Sequence, residues 1–167
     1  MTEKAFQTEL RSETLPLPKI IETIEINASR DKVWEIISDL DNEPEYWWGT
    51  KEVRNISKEG NVIKREIKQN FRNHAISQKV FVRPPREIEI RYLKGLTEGV
   101  KFLRLEPVSD QTQILTAYWD IHFAGIYVLA TPFISRHIHK GTRDALQRIK
   151  DVSEGRKIQY PEEQEKQ

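Results

Sequence analysis

The C-terminal third of the chain carries one long amphipathic pattern, and that pattern limits the folds open to the rest. From Pro132, one stripe recurs at Phe133, Ile134, His137, Ile138, Gly141, Ala145, Leu146, Ile149 and Val152. Residues three and four apart share a helix face, so the spacing predicts a single helix of many turns with one face to bury. Pro132 suits a first turn, where a missing N–H costs nothing, with Thr131 before it as N-cap. Gly155 suits the C-terminal cap. The opposite face carries Arg136, Lys140, Arg143, Arg148 and Lys150, diluted by Asp144, Asp151 and Glu154, which reads as a solvated face. It leaves room for no more than transient contact with a membrane surface.

Upstream, the apolar period drops to two. Lys19 to Asn27 reads as a strand with Ile24 and Ile26 on one face. Ser29 then offers an N-cap and Asp31 a first-turn acid, and Val33, Trp34, Ile36, Ile37 and Leu40 fall at helical spacing. This predicts a helix from about Arg30 to Leu40, stopped by Asp41, Asn42 and Pro44, with a short connecting segment after it. Further strand runs follow: Lys51 to Ser57, Val62 to Phe71, His74 to Arg83, Glu87 to Leu93, Val100 to Pro107 and Gln113 to Phe123. Glu59–Gly60–Asn61, Pro84–Pro85 and Ser109–Asp110 mark turns between them. Ile88, Ile90 and Tyr92 share one face, and Leu115, Ala117, Trp119, Ile121 and Phe123 form the apolar face of the last strand. The expected class is α+β: an antiparallel meander of six to seven strands, two short helices after the first strand and a long C-terminal helix. Residues 1–18, ending in Leu-Pro-Leu-Pro, read as a loosely docked arm, 19–155 as the domain, and 156–167 as a charged tail.

Composition removes several classes of function. The chain has 27 basic and 26 acidic residues among 167, a balance with no field for nucleic acid. It has no cysteine, so disulfides and thiolate chemistry are excluded. The longest apolar stretch, around Phe123 to Ile134, is broken by Gly125 and Pro132 and is too short to span a bilayer. With no signal-peptide pattern at the N-terminus, a cytoplasmic protein is expected. His74, His122, His137 and His139 do not fall at spacings that converge on a metal. Neither a nucleophile elbow, a phosphate loop nor a dinucleotide fingerprint is present, so no cofactor is expected.

Two features point to a binding pocket. Aromatic residues occur in nearly every element, as expected for a core or for a ligand site lined by rings. Arg65 alternates with Ile63 and Ile67. Turned inward it would need an acidic or oxyanion partner; turned outward it is a surface residue, and the spacing alone leaves both open.

The segment Ile24–Glu25–Ile26–Asn27–Ala28–Ser29–Arg30–Asp31–Lys32–Val33–Trp34–Glu35–Ile36–Ile37–Ser38–Asp39–Leu40 resembles the opening of the START-like (helix-grip, SRPBCC) superfamily. Glu45–Tyr46–Trp47 resembles the aromatic motif that often follows, and the final helix resembles the gripping helix. The resemblance covers about Ile20 to Val152 and is nearest to the polyketide cyclase/dehydrase and coenzyme-Q-binding group. It implies a curved sheet wrapped around the C-terminal helix, with a pocket between them for a small hydrophobic molecule such as a lipid, isoprenoid quinone or polyketide. It also implies that Trp47 and Trp48 edge the mouth. Trp47, Trp48, Arg65, Phe71, Phe81, Tyr92, Phe102, Trp119, Phe133 and His137 are the candidate ligand contacts. A carrier or sensor is the first expectation. A cyclase using inward polar groups among Arg65, Tyr92, Tyr118, His122 and His137 is the second, and a regulator of a macromolecular partner the third. The sequence specifies no oligomeric state.

Overall fold

The structure, a computed structural model, describes residues 19–70, 74–93, 97–123 and 129–161. Seven strands form one antiparallel sheet: β1 (Ile20–Ile26), β2 (Thr50–Glu59), β3 (Val62–Gln69), β4 (Ala75–Arg83), β5 (Glu87–Leu93), β6 (Thr97–Ser109) and β7 (Thr112–Phe123). Their spatial order is β1-β7-β6-β5-β4-β3-β2, a meander from β2 to β7 with β1 returned to the side of β7. Helix α1 (Arg30–Ser38), a 3-10 turn (Leu40–Asn42) and α2 (Glu43–Tyr46) link β1 to β2, and α3 (Thr131–Ser153) closes the chain. This is the expected helix-grip architecture.

Local chemistry sets these limits. Ser29 caps α1, its Oγ accepting from the Lys32 N–H at 3.4 Å. Gly155 ends α3 in the left-handed region at φ 81°, as its predicted role requires. At the other end of α3 the N-cap is Ala130, which provides no side-chain cap, and Thr131 lies inside the helix. The helix begins there because Pro132 is preset for its first turn.

The sheet sorts its side chains by row. One row runs Arg65–Gln78–Tyr92–Gly99–Ile121 across β3 to β7, and a neighbouring one runs Ile63–Val80–Ile90–Lys101–Trp119–Ile20. Nearly all of these residues are buried, so both rows lie on the face toward the core. The alternate phase, Phe81–Glu89–Phe102–Tyr118–Ile21, lies on the opposite face. The C-terminal half of α3 buries Ala145, Leu146 and Ile149 in the same core as Val33, Ile37, Leu103 and Leu115. Its N-terminal half stands away from the sheet, where Phe133 is 78% exposed.

Gly99 is the tightest point of the sheet. Its φ is 126°, and a Cβ there would lie 2.1 Å from the backbone oxygen of Asp120 on β7. Gly99→Ala is therefore expected to cost about 2 kcal/mol or more, read by urea unfolding, while Gly141→Ala on α3, where a Cβ meets nothing within 4 Å, should be neutral or stabilising.

Candidate functional site

Where α3 stands off the sheet, a cavity of about 840 Å³ opens between them. Its walls come from α2 and the residues after it (Glu43, Trp47, Trp48), from the inward phase of the sheet (Ile67, Tyr92, Lys101, Trp119, Ile121) and from α3 (Phe133, His137, Gly141, Thr142). That volume suits a drug-sized or larger apolar molecule.

The cavity floor is charged. Arg65 is 1% exposed, and its guanidinium donates to Glu43 Oε2 at 2.5 Å, to Gln78 Oε1 at 2.8 Å and to the Leu40 carbonyl at 3.4 Å. The structure resolves the alternative left open by the sequence: Arg65 points inward in phase with Ile63 and Ile67, and Glu43 neutralises it there. Burial alone would raise the Glu43 carboxyl, but the charges of Arg65 and Lys101 and the Arg65 hydrogen bond hold it below the usual carboxylate range.

Lys101 is the second buried cation. It is 2% exposed, and its Nζ lies 3.1 Å from the ring centroid of Trp47 and 4.6 Å from that of Trp119. Contacts of this kind are worth up to about 2 kcal/mol to a desolvated cation. Burial nevertheless dominates and lowers the Lys101 ammonium to about 7; Glu43 opposes that shift and Arg65 adds to it. Tyr92, 6.3 Å from Trp119 by ring centroids, has its phenol pushed well up by burial and then by Glu43, so it remains a proton donor.

Two polar atoms in the wall are buried and unpartnered among the described residues: Trp119 Nε1 and Thr142 Oγ1. An unmet buried donor or hydroxyl costs about 1–3 kcal/mol, and both atoms lie beneath the cavity surface. At the mouth, Trp48 packs under Arg148, whose Cζ is 3.3 Å from the ring centroid, and stacks on Tyr160 at 5.6 Å.

The cavity brings together six of the ten sequence candidates: Trp47, Trp48, Tyr92, Trp119, Phe133 and His137. Arg65 lies behind the floor, bonded to Glu43. Phe81 and Phe102 must be corrected: they occupy the opposite phase of the sheet, where Phe81 packs against Lys79 and Arg91 and Phe102 against Tyr118, 6.0 Å away. Phe71 lies outside the described residues. Of the proposed proton-transfer groups, Tyr118 and His122 share the phase of Phe102 and so face away from the cavity. Glu43, Lys101 and Thr142 were missed. Lys101 was legible from strand phase, since it alternates with Val100 and Phe102 and keeps step with the inward Leu103 and Leu105. Glu43 carried no such signal, because its orientation depends on how a four-residue helix docks.

A curved antiparallel sheet gripping a long helix around a cavity defines the class: a helix-grip domain with an internal hydrophobic site. Residues 18–154 match the family described as polyketide cyclase / dehydrase and lipid transport, and the chain belongs to that family. Among solved structures it is similar to the ZhuI aromatase/cyclase from Streptomyces sp. R1128, at 12% identity and a TM-score of 0.72 over 83% of this chain and 94% of that one. Norcoclaurine synthase from Thalictrum flavum, solved with dopamine and hydroxybenzaldehyde, is similar at 16% identity and a TM-score of 0.63, over 87% of this chain and 91% of that one. A Thermus thermophilus protein is similar at 11% identity and a TM-score of 0.64, over 80% of this chain and 94% of that one. These likenesses are in fold. No curated protein sequence matches the chain. No helix among the described residues is long and apolar enough to cross a membrane.

The charged floor is open to measurement in two ways. Glu43→Gln leaves Arg65 buried with its charge uncompensated and should cost about 3–5 kcal/mol in urea unfolding, with the Glu43→Gln/Arg65→Met pair costing less than the sum of the single changes. For Lys101 the folded protein gives up its proton near 7 and the unfolded chain near 10.5, so between these values the unfolded state binds more protons. Stability should therefore rise with pH from about 7 toward 10, the burial penalty being complete below that window. Lys101→Met should remove that rise and stabilise the protein at neutral pH by on the order of a few kcal/mol.

Proposed function

We propose that this protein binds a small hydrophobic molecule with a polar head in the cavity between α3 and the sheet, as a carrier or sensor. The observation that carries the reading is the cavity itself, about 840 Å³ between α3 and the sheet, apolar over most of its wall with Glu43 and Lys101 at its floor. The apolar body of such a ligand would lie against Ile67, Ile121 and the indoles, and its oxygen-bearing head would lie toward Glu43 and Lys101. A lipid, an isoprenoid quinone or a polyketide-like chain has this division of character, and the family's lipid-transport and cyclase members support that choice.

A cyclase-type enzyme is the second reading. Lys101, Glu43 and Tyr92 favour it, because they place a base near neutrality, a carboxylate and a phenol at one floor. The similar folds of an aromatase/cyclase and of an enzyme solved with dopamine and hydroxybenzaldehyde lend it support. A purely regulatory role, which a filled core would favour, draws no support from an 840 Å³ cavity.

Gly141 provides the test. It faces the cavity, and a Cβ added there meets nothing within 4 Å. Gly141→Phe should project a ring into the cavity and weaken binding of quinone and fatty-acid probes at least tenfold, measured by tryptophan quenching and calorimetry on the folded variant. Unchanged affinity in the folded variant would place the ligand elsewhere.

A further inference from the structure

The floor of the cavity holds more than ligand binding requires. A lysine could have been replaced there by an apolar residue at a gain in stability, yet Lys101 sits against two indole faces with the cavity before it. Lysine is seldom so fully buried, and then usually in a partnership. Here the nearest carboxylate is engaged elsewhere: Glu43 Oε2 is held by Arg65 at 2.5 Å, and among the described residues Lys101 forms no ion pair within 4.0 Å. Its amine is thus neither solvated nor locked in a salt bridge.

We propose that Lys101 is a nucleophile for carbonyl compounds, and that an aldehyde or ketone with an apolar body bound in the cavity condenses with its Nζ to form an imine. This rests on the cavity being the ligand site. Three features of the chain favour the step. Lys101 is 2% exposed and flanked by two indoles, and this burial destabilises the ammonium and lowers it to about 7. The guanidinium of Arg65 adds a second positive charge behind it, in the same sense. Tyr92 lines the same cavity and keeps its phenolic proton, so it is available to donate to a carbonyl oxygen.

The chemistry balances without any further reagent. The Nζ lone pair adds to the carbonyl carbon, the C–O π pair moves to oxygen, and a proton passes from nitrogen to that oxygen, giving a carbinolamine. Loss of hydroxide with one further proton, as water, leaves the C=N bond. Nothing is oxidised or reduced, and hydrolysis by the returning water releases the ligand and the amine. The class of ligand is therefore an aryl or long-chain aldehyde or ketone, whose apolar body would lie in the cavity against Ile67, Ile121 and Phe133. A fatty acid or an alcohol would bind without reacting.

The test is reductive trapping on the full chain. The protein is incubated with 2-naphthaldehyde and sodium cyanoborohydride, and the modified lysines are located by peptide mapping. Binding is followed separately by tryptophan quenching, with 2-naphthalenemethanol as the unreactive analogue. Lys101 is expected to be labelled at least tenfold faster than any other lysine at pH 7, with a rate that climbs between pH 6 and 8. Lys101→Arg, which keeps the charge, and Lys101→Met should each lose that label while remaining folded, as judged by urea unfolding. Quenching by both naphthyl compounds with Lys101 unlabelled would overturn the imine and leave the binding reading intact. Labelling of exposed lysines ahead of Lys101, with no quenching by either compound, would overturn both.

Discussion

The ion pair between Glu43 and Arg65 is the contact on which the cavity depends. It joins α2, a helix of four residues with little stability of its own, to the centre of β3. Short helices stay in place through tertiary contacts, and this one is fixed by a carboxylate at its first position. Once Glu43 is seated, Trp47 falls at the next turn of chain over the sheet, and its ring becomes one of the two faces that shelter Lys101. The same carboxylate moderates the charge of both cations. A hydrophobic pair in place of Glu43 and Arg65 could serve stability as well or better, but it would leave the floor without an electrostatic setting.

The meander and the long helix were legible in the sequence because each rests on periodicity. The run Leu115, Ala117, Trp119, Ile121, Phe123 marks the core face of β7 by alternation alone, and Pro132 and Gly155 bracket α3 within two residues of its observed ends. The site was legible only in part. Aromatic rings on β5 and β7 led to the cavity because their strands alternate cleanly. On β6 the same reasoning failed: attention to the large ring of Phe102 selected one phase of the strand, while the leucines at 103 and 105 had already fixed the other. A buried lysine reads as a surface lysine to any inspection by residue type. Only its phase gives it away.

The helix shows a related split. Its stripe is continuous in sequence, but full burial is confined to the C-terminal half, while Ile134 and Ile138 are only partly buried against the core. The N-terminal half keeps Phe133 and His137 on the rim of the cavity, with Gly141 marking the change. The stripe therefore does two jobs, packing at one end and enclosure at the other, and hydrophobic spacing alone does not separate them. The polar residues that do, Thr142 and Ser153, lie buried within the packed half.

The stack of Arg148, Trp48 and Tyr160 gathers three segments that are far apart along the chain at one edge of the opening. During synthesis the sheet is complete before α3 exists, and the ion pair on its inner face can form as soon as β3 and α2 are available. The rim cannot. Until residues 131–160 emerge and dock, the wall that α3 gives the cavity is absent. The last segment of the chain to appear is thus the one that encloses the cavity.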